Sequence, residues 1–280
     1  RLIDELRGEW GDAPWVESRG ISFDTARPYG QLHQQVRQLF GVLEDDTQEA
    51  VREKLTNSPD GYPADLHLLW GRVMDVLMAI HPESNGQHLE GEALKRELFE
   101  AVTEAWRHVA DNSPMVIVFD DLHWTDPASA ELLQHLLELT EEVPILFLCA
   151  SRPERQSAGW RVRQTAETDF PHRYTEIALS PLSGDDSDTL VSSLLTVSDL
   201  PAKLRQTILE KTDGNPFFVE EVVRTLIDSG AVVRDETGEH WRASSNIEEI
   251  SIPENVQSLI TARFDSLDEE VRSTLQMASA

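Results

Sequence analysis

The sequence predicts an α/β fold, and three observations predict it. Two short, wholly apolar runs, residues 115–119 and 145–150, have the composition of strands buried on both faces. Between them, residues 128–139 repeat apolar side chains at helical spacing, so the stretch reads as a parallel strand-helix-strand unit. The first run ends on two adjacent carboxylates, Asp120 and Asp121, at the C-terminal edge where open α/β sheets bind their ligands.

The remaining elements follow in order. Leu2, Ile3 and Leu6 share one helical face, and Gly8 reads as the stop of that helix. Residues 15–19 alternate large apolar and polar side chains and predict a strand, followed by a loop through Arg27-Pro28. Leu32, Val36, Leu39 and Phe40, then Leu66, Leu69, Trp70, Val73, Leu77 and Ile80, predict helices between positions 29 and 80. Turn clusters at 57–61 and 82–86 separate them. Leu94, Leu98, Val102, Trp106 and Val109 continue the pattern in a helix of about five turns that ends near Asn112-Ser113-Pro114.

Residues 173–179 alternate and predict a further strand before Pro181. The chain then changes character. Residues 185–195, 202–212 and 216–229 read as three helices with no strand between them, so a domain boundary is expected near 180–183. Residues 231–234 and 240–243 flank Glu236-Thr237-Gly238 as a small hairpin, and 252–280 begin a further helical unit.

Length and composition bound the function. The 280 residues suit one large core plus a smaller partner. With 24 Lys and Arg against 51 Asp and Glu, the net charge of −27 disfavours contact with phosphate backbones and anionic lipid. Neither apolar run approaches the roughly 18 residues of a membrane span. Cys149 is the one cysteine, which excludes an internal disulfide and a Cys-based zinc site and fits a reducing, cytoplasmic setting. No H-E-x-x-H, G-x-S-x-G or EF-hand pattern occurs.

The chemistry concentrates in Val116-Ile117-Val118-Phe119-Asp120-Asp121-Leu122-His123-Trp124. Carboxylates at the tip of a buried strand can support a phosphate-bound metal and orient a water. They can equally cap the following helix. Asp126-Pro127 already has the form of an N-cap followed by proline at the first helical position, which frees Asp120 and Asp121 from that duty. Ser151-Arg152-Pro153 follows the second buried strand. Its guanidinium reads either as a γ-phosphate contact, as a partner of the Asp pair, or as an ordinary surface ion pair. Gly214-Asn215-Pro216-Phe217-Phe218 taken alone is ordinary helix-start chemistry.

These phrases occur together and in order. Residues 118–129, Ser151-Arg152-Pro153-Glu154 and Asp213-Gly214-Asn215-Pro216-Phe217-Phe218-Val219-Glu220-Glu221 resemble the AAA-type ATPase module of the STAND class. Such modules are attached to class III adenylate/guanylate cyclase domains or to MalT/LuxR-type regulators. The resemblance implies a P-loop NTPase-type parallel sheet, a helical lid domain at 181–230 and the start of a winged-helix domain within 231–280. The nucleotide-binding core would be 1–180, with a helical insert at about 29–112. The resemblance also implies ATP and Mg2+ as cofactors, with Asp120 as the magnesium acid and Asp121 as the water-orienting acid. Arg152 would sense the γ-phosphate, and Gly214, Asn215 and Pro216 would lie near adenine. His123 and Trp124 either transmit nucleotide state or pack structurally.

The implied phosphate cradle, G-x-x-x-x-G-K-[ST], is absent. Gly86 and Gly91 have its spacing, but Glu92-Ala93 follow. Arg1-Leu2-Ile3 resembles the helix that starts just after the P-loop, so the sheet is expected to lack its first strand, between those at 145–150 and 173–179. Unpaired groups at such a gap cost about 1–3 kcal/mol each. The fragment is therefore expected to be poorly stable and inactive in hydrolysis, and the parent protein to be a nucleotide-dependent regulatory switch. Its expected partners are ATP, effector domains of its own chain and, through nucleotide-dependent self-association, further copies. The alternative is a nucleotide-free interaction scaffold that presents the helices of 29–109. In a transcription regulator, an appended domain would contact DNA.

Overall fold

The computed structural model describes residues 1–22, 28–43, 46–56, 62–63, 65–80, 92–194, 202–234, 241–243, 255–265 and 267–278. The chain divides into two compact units, Arg1–Glu176 and Ile177–Ala280.

The first unit is built around a parallel sheet. In chain order it comprises α1 (Leu2–Trp10), β1 (Trp15–Arg19), α2 (Gly30–Phe40), α3 (Gln48–Lys54), α4 (Leu66–Ile80) and α5 (Glu92–Asn112). These are followed by β2 (Met115–Asp120), α6 (Pro127–Leu136), α7 (Leu139–Glu142), β3 (Ile145–Cys149) and α8 (Ala158–Asp169). The strand order is β1-β2-β3, with Val16 beside Ile117 and Ile117 beside Phe147. Central β2 is buried on both faces, as its unbroken apolar run requires. Leu98, Val102, Trp106 and Val109 of α5 are fully buried, and Trp106 packs edge-to-face on Trp70 of α4 with ring centroids 4.7 Å apart.

The outer edge of β1 is closed by side chains. Gln38 accepts the N–H of Glu17 at 2.8 Å, and Gln34 accepts the N–H of Arg19 at 2.8 Å while donating to its carbonyl at 3.0 Å. Glutamines four apart on one face of α2 thus take up the outward N–H groups of Glu17 and Arg19 and the Arg19 carbonyl at this edge. Beneath them Ser18 donates to the Val118 carbonyl at 3.2 Å and accepts from Gln35 at 3.1 Å. β3 has no strand on its outer side among the described residues, and Leu146 there is 42% exposed.

Four expectations change. The first helix passes Gly8 and ends at Gly11, whose φ of 76° suits glycine, because one glycine inside a helix only weakens it. Residues 128–139 break into α6 and α7 around Leu137. Positions 173–179 form no strand: alternation needs a partner ladder, the described residues supply none, and Ile177 and Leu179 remain 78% and 77% exposed. Asp126 is more than a local cap, as described below. The turn clusters at 57–61 and 82–86, Gly86, Gly91, Glu236-Thr237-Gly238 and residues 252–254 lie outside the described residues.

The second unit packs α9 (Gly184–Leu194), α10 (Ala202–Thr212) and α11 (Pro216–Asp228) around Val191, Ile208, Val219, Val222 and Leu226. An antiparallel pair, β4 (Val232–Arg234) and β5 (Trp241–Ala243), follows with Val233 opposite Arg242. Two helices, α12 (Val256–Asp265) and α13 (Glu269–Ala278), come last.

Candidate functional site

The C-terminal tip of β2 carries Asp120 and Asp121. Asp120 ends the strand, and Asp121 turns the chain in the left-handed region, with φ 50° and ψ 41°. That turn lets the Asp121 N–H donate to the Asp120 carboxylate at 3.0 Å. The turn also leads into a single 3₁₀ turn at Leu122–Trp124, whose first N–H donates to the Ala150 carbonyl at 2.9 Å. Asp120 is 41% exposed and Asp121 20%, so the first carboxylate faces solvent more openly.

A cation from the neighbouring strand meets the pair. The parallel register sets Arg19 beside Asp120. Its Nε donates to Asp121 Oδ2 at 2.7 Å and lies 3.7 Å from Asp120 Oδ2. The hydrogen bond and charge of Asp121, with the charge of Asp120, push the Arg19 pKa up. Gly20, next in sequence, donates to the Asp120 carbonyl at 2.8 Å. A Cβ at Gly20 would lie 2.4 Å from the Asp121 carbonyl oxygen. The close approach of the two chains at this edge therefore requires glycine.

Arg152 lies beyond the tip of β3, exposed, with its guanidinium 5.6 Å from the Trp124 ring centroid in a cation–π arrangement. The guanidinium that pairs with the two acids, through a hydrogen bond to Asp121, is that of Arg19. His123 is buried and packs against Trp124, with ring centroids 4.6 Å apart and planes tilted by 45°. Its Nδ1 accepts the Arg152 N–H at a long 3.5 Å, and its Nε2 has no hydrogen-bond partner among the described residues.

Asp126 caps α6 through the Ser129 N–H at 2.9 Å, and Ser129 Oγ donates to it at 2.5 Å. The same buried carboxylate accepts the N–H groups of Tyr29 and Gly30 at 3.1 and 3.2 Å, at the start of α2. Beside it Thr125 Oγ1 donates to Gln31 at 2.6 Å. Asp120 and Asp121 are indeed left free of capping, and the loop after them is bound to α2.

In the second unit Gly214 adopts φ 71°, and its carbonyl accepts the Leu182 N–H at 2.8 Å. A Cβ there would lie 2.3 Å from the Leu182 carbonyl oxygen. Asn215 caps α11 by accepting the Phe218 N–H at 3.3 Å, with Pro216 in the first turn. Each of the three residues thus has a local structural task.

The donors fit a magnesium ion held jointly with phosphates. No group of three or more His, Cys, Asp or Glu able to cage a metal occurs among the described residues. Mg2+ however commonly takes only one or two protein carboxylates, completing its shell with water and phosphate oxygens. The half-open Asp120 oxygens at a strand tip meet that requirement.

Sequence reading missed three contributors: Arg19, the Gln34 amide that braces it and the second cap made by Asp126. Arg19 carried a usable signal. A strand at 15–19 parallel to 115–120 ends at the same sheet edge as Asp120.

A parallel sheet with this carboxylate-tipped central strand is P-loop NTPase-like in fold. Residues 1–148 match the family described as AAA ATPase domain, and the chain belongs to that family. Membership implies ATP binding and, typically, use of Mg2+. Residues 183–239 match a family described as a domain of unknown function. An uncharacterized protein of Rhizobium meliloti (strain 1021) is 26% identical over 134 residues, which are 46% of this chain and 12% of that protein. The chain thus spans about an eighth of the length of the curated relative it matches. No solved structure matches it. Among the described residues no helix is long and apolar enough to cross a membrane.

Proposed function

We propose that this chain is the nucleotide-responsive part of an ATP-dependent signalling switch of the STAND class. In this reading Asp120 supports Mg2+, Asp121 orients the attacking water and Arg152 reads the γ-phosphate. Gly214, Asn215 and Pro216 border adenine. Core, helical lid at 181–230 and winged-helix start at 231–280 change relation with nucleotide state and pass that state to effector domains, cyclase or transcription regulator, in a cytoplasmic protein. Self-association in one nucleotide state belongs to the same reading. A switch needs a ligand that binds one arrangement better than another, and a nucleotide can supply that difference.

The observation that carries the proposal is the Asp120-Asp121 tip of β2, where Asp120 is open to solvent and neither acid is needed as the cap of α6, a task Asp126 performs. The sequence contains no G-x-x-x-x-G-K-[ST], so the reading requires a phosphate cradle from residues other than these. The test is ATP hydrolysis by the natural full-length gene product. Asp120→Asn should lower kcat by roughly a hundredfold or more, the scale of losing a principal electrostatic contact in the transition state. Hydrolysis unchanged by that substitution defeats the proposal and favours a scaffold without nucleotide chemistry.

A further inference from the structure

Arg19 occupies an unusual place. Its backbone is clamped on both sides, by β2 in the parallel ladder and by the Gln34 amide at 2.8 and 3.0 Å. Its side chain is 69% exposed, yet bends to the Asp pair instead of extending into water, reaching Asp121 at 2.7 Å and Asp120 at 3.7 Å. The two contacts are unequal. Asp121 is committed to a hydrogen-bonded ion pair, whereas Asp120 feels the guanidinium mainly through its charge and keeps the more open face.

A divalent ion seated on Asp120 would therefore sit within a few ångströms of a fixed positive charge. Two cations at such a distance repel even in a solvent-rich setting, and the repulsion weakens with salt. An exposed ion pair is also readily exchanged, so the guanidinium can give way when a stronger counter-ion arrives.

We propose that Arg19 is the positioning residue of this site: it holds the Asp121 carboxylate in place and stands as the built-in counter-cation that a divalent ion must displace to reach Asp120. The inference rests on the reading of Asp120 as the metal-supporting acid. Arg19 thereby divides two adjacent, chemically identical carboxylates into one held in place, with its second oxygen left to orient a water, and one offered to a metal. It also keeps two neighbouring negative charges compatible when no metal is bound.

The experiment is a Mn2+ titration of the natural full-length gene product with a non-hydrolysable ATP analogue present, followed by loss of the free-ion EPR signal at low ionic strength. It compares wild type, R19Q, R19K, D120N and R19Q/D120N. Because the surface is strongly acidic, the quantity read is the component that Asp120→Asn removes. In R19Q this component should strengthen roughly three- to tenfold over wild type, and the gain should shrink as salt is raised. R19K, which keeps the charge, should stay near wild type. Asp120-dependent binding of equal strength in wild type and R19Q overturns the role of Arg19 while leaving the reading of Asp120 standing. R19K behaving like R19Q likewise overturns it. Absence of any Asp120-dependent Mn2+ binding in R19Q overturns both.

Discussion

The carboxylate of Asp126 accepts the backbone N–H of Tyr29 at 3.1 Å, joining residues 97 positions apart. Tyr29 stands in the left-handed region, with φ 59°, and offers no side-chain cap to its own helix. Asp126 supplies that cap from the loop after β2, and caps α6 with the same two oxygens. Since α2 also carries Gln34, which braces Arg19, the loop following the Asp pair and the strand facing it are both tied to α2, the first by buried hydrogen bonds and the second by exposed ones.

Asp126→Ala should therefore destabilise the first unit by about 3–5 kcal/mol, more than an isolated cap of about 1 kcal/mol. The excess comes from the buried donors at Tyr29 and Ser129 and the half-buried one at Gly30 losing their acceptor together. Urea denaturation followed by far-UV circular dichroism measures it. Asp126→Asn, which keeps one acceptor oxygen, should cost clearly less. Equal losses in the two variants would contradict the shared-cap account.

Gly20→Ala should disturb the site without touching a charged group. The added methyl meets backbone, the Asp121 carbonyl oxygen at 2.4 Å and the carbonyl carbon of Trp124 at 3.2 Å, so neither neighbour can step aside by rotating a side chain. The expected cost is about 1–3 kcal/mol. Amide chemical-shift changes should concentrate at residues 120–125. Changes confined to Gly20 and its sequence neighbours would show that the two chains are not locked together there.

The three tyrosines should resist ionisation. Burial pushes Tyr29 and Tyr62 up to about 12, and raises Tyr174 as well. A folded-state pKa above the ordinary value of 10 favours the protonated form in the fold, so this stabilisation is complete below pH 10. It is lost as pH rises through about 12. Absorbance titration of phenolate in the native chain should show little ionisation at pH 10, and unfolding by urea should release it. Full titration near pH 10 in the folded protein would count against burial of these rings.

Much of the fold was legible because it depends on local pattern. The apolar runs became β2 and β3, the alternating Trp15–Arg19 became β1, and the spacing from Leu94 to Val109 became the buried face of α5. Asp120 and Asp121 were legible as acids at the tip of the central strand, free of capping α6, because the apolar run ends on them and Asp126-Pro127 already accounted for the helix start. The alternation at 173–179 misled, since it records side-chain pattern but not the presence of a neighbouring strand.

By itself, then, the amino-acid order determined which segments bury an apolar face and which acids terminate the central strand, because both follow from interactions within a few residues. Only the tertiary structure decided that Arg19 faces those acids, that Gln34 and Gln38 close the sheet edge and that Asp126 caps a second helix. Those contacts join residues far apart in the chain. Their geometry exists only after the parallel crossover has brought the ends of β1 and β2 together.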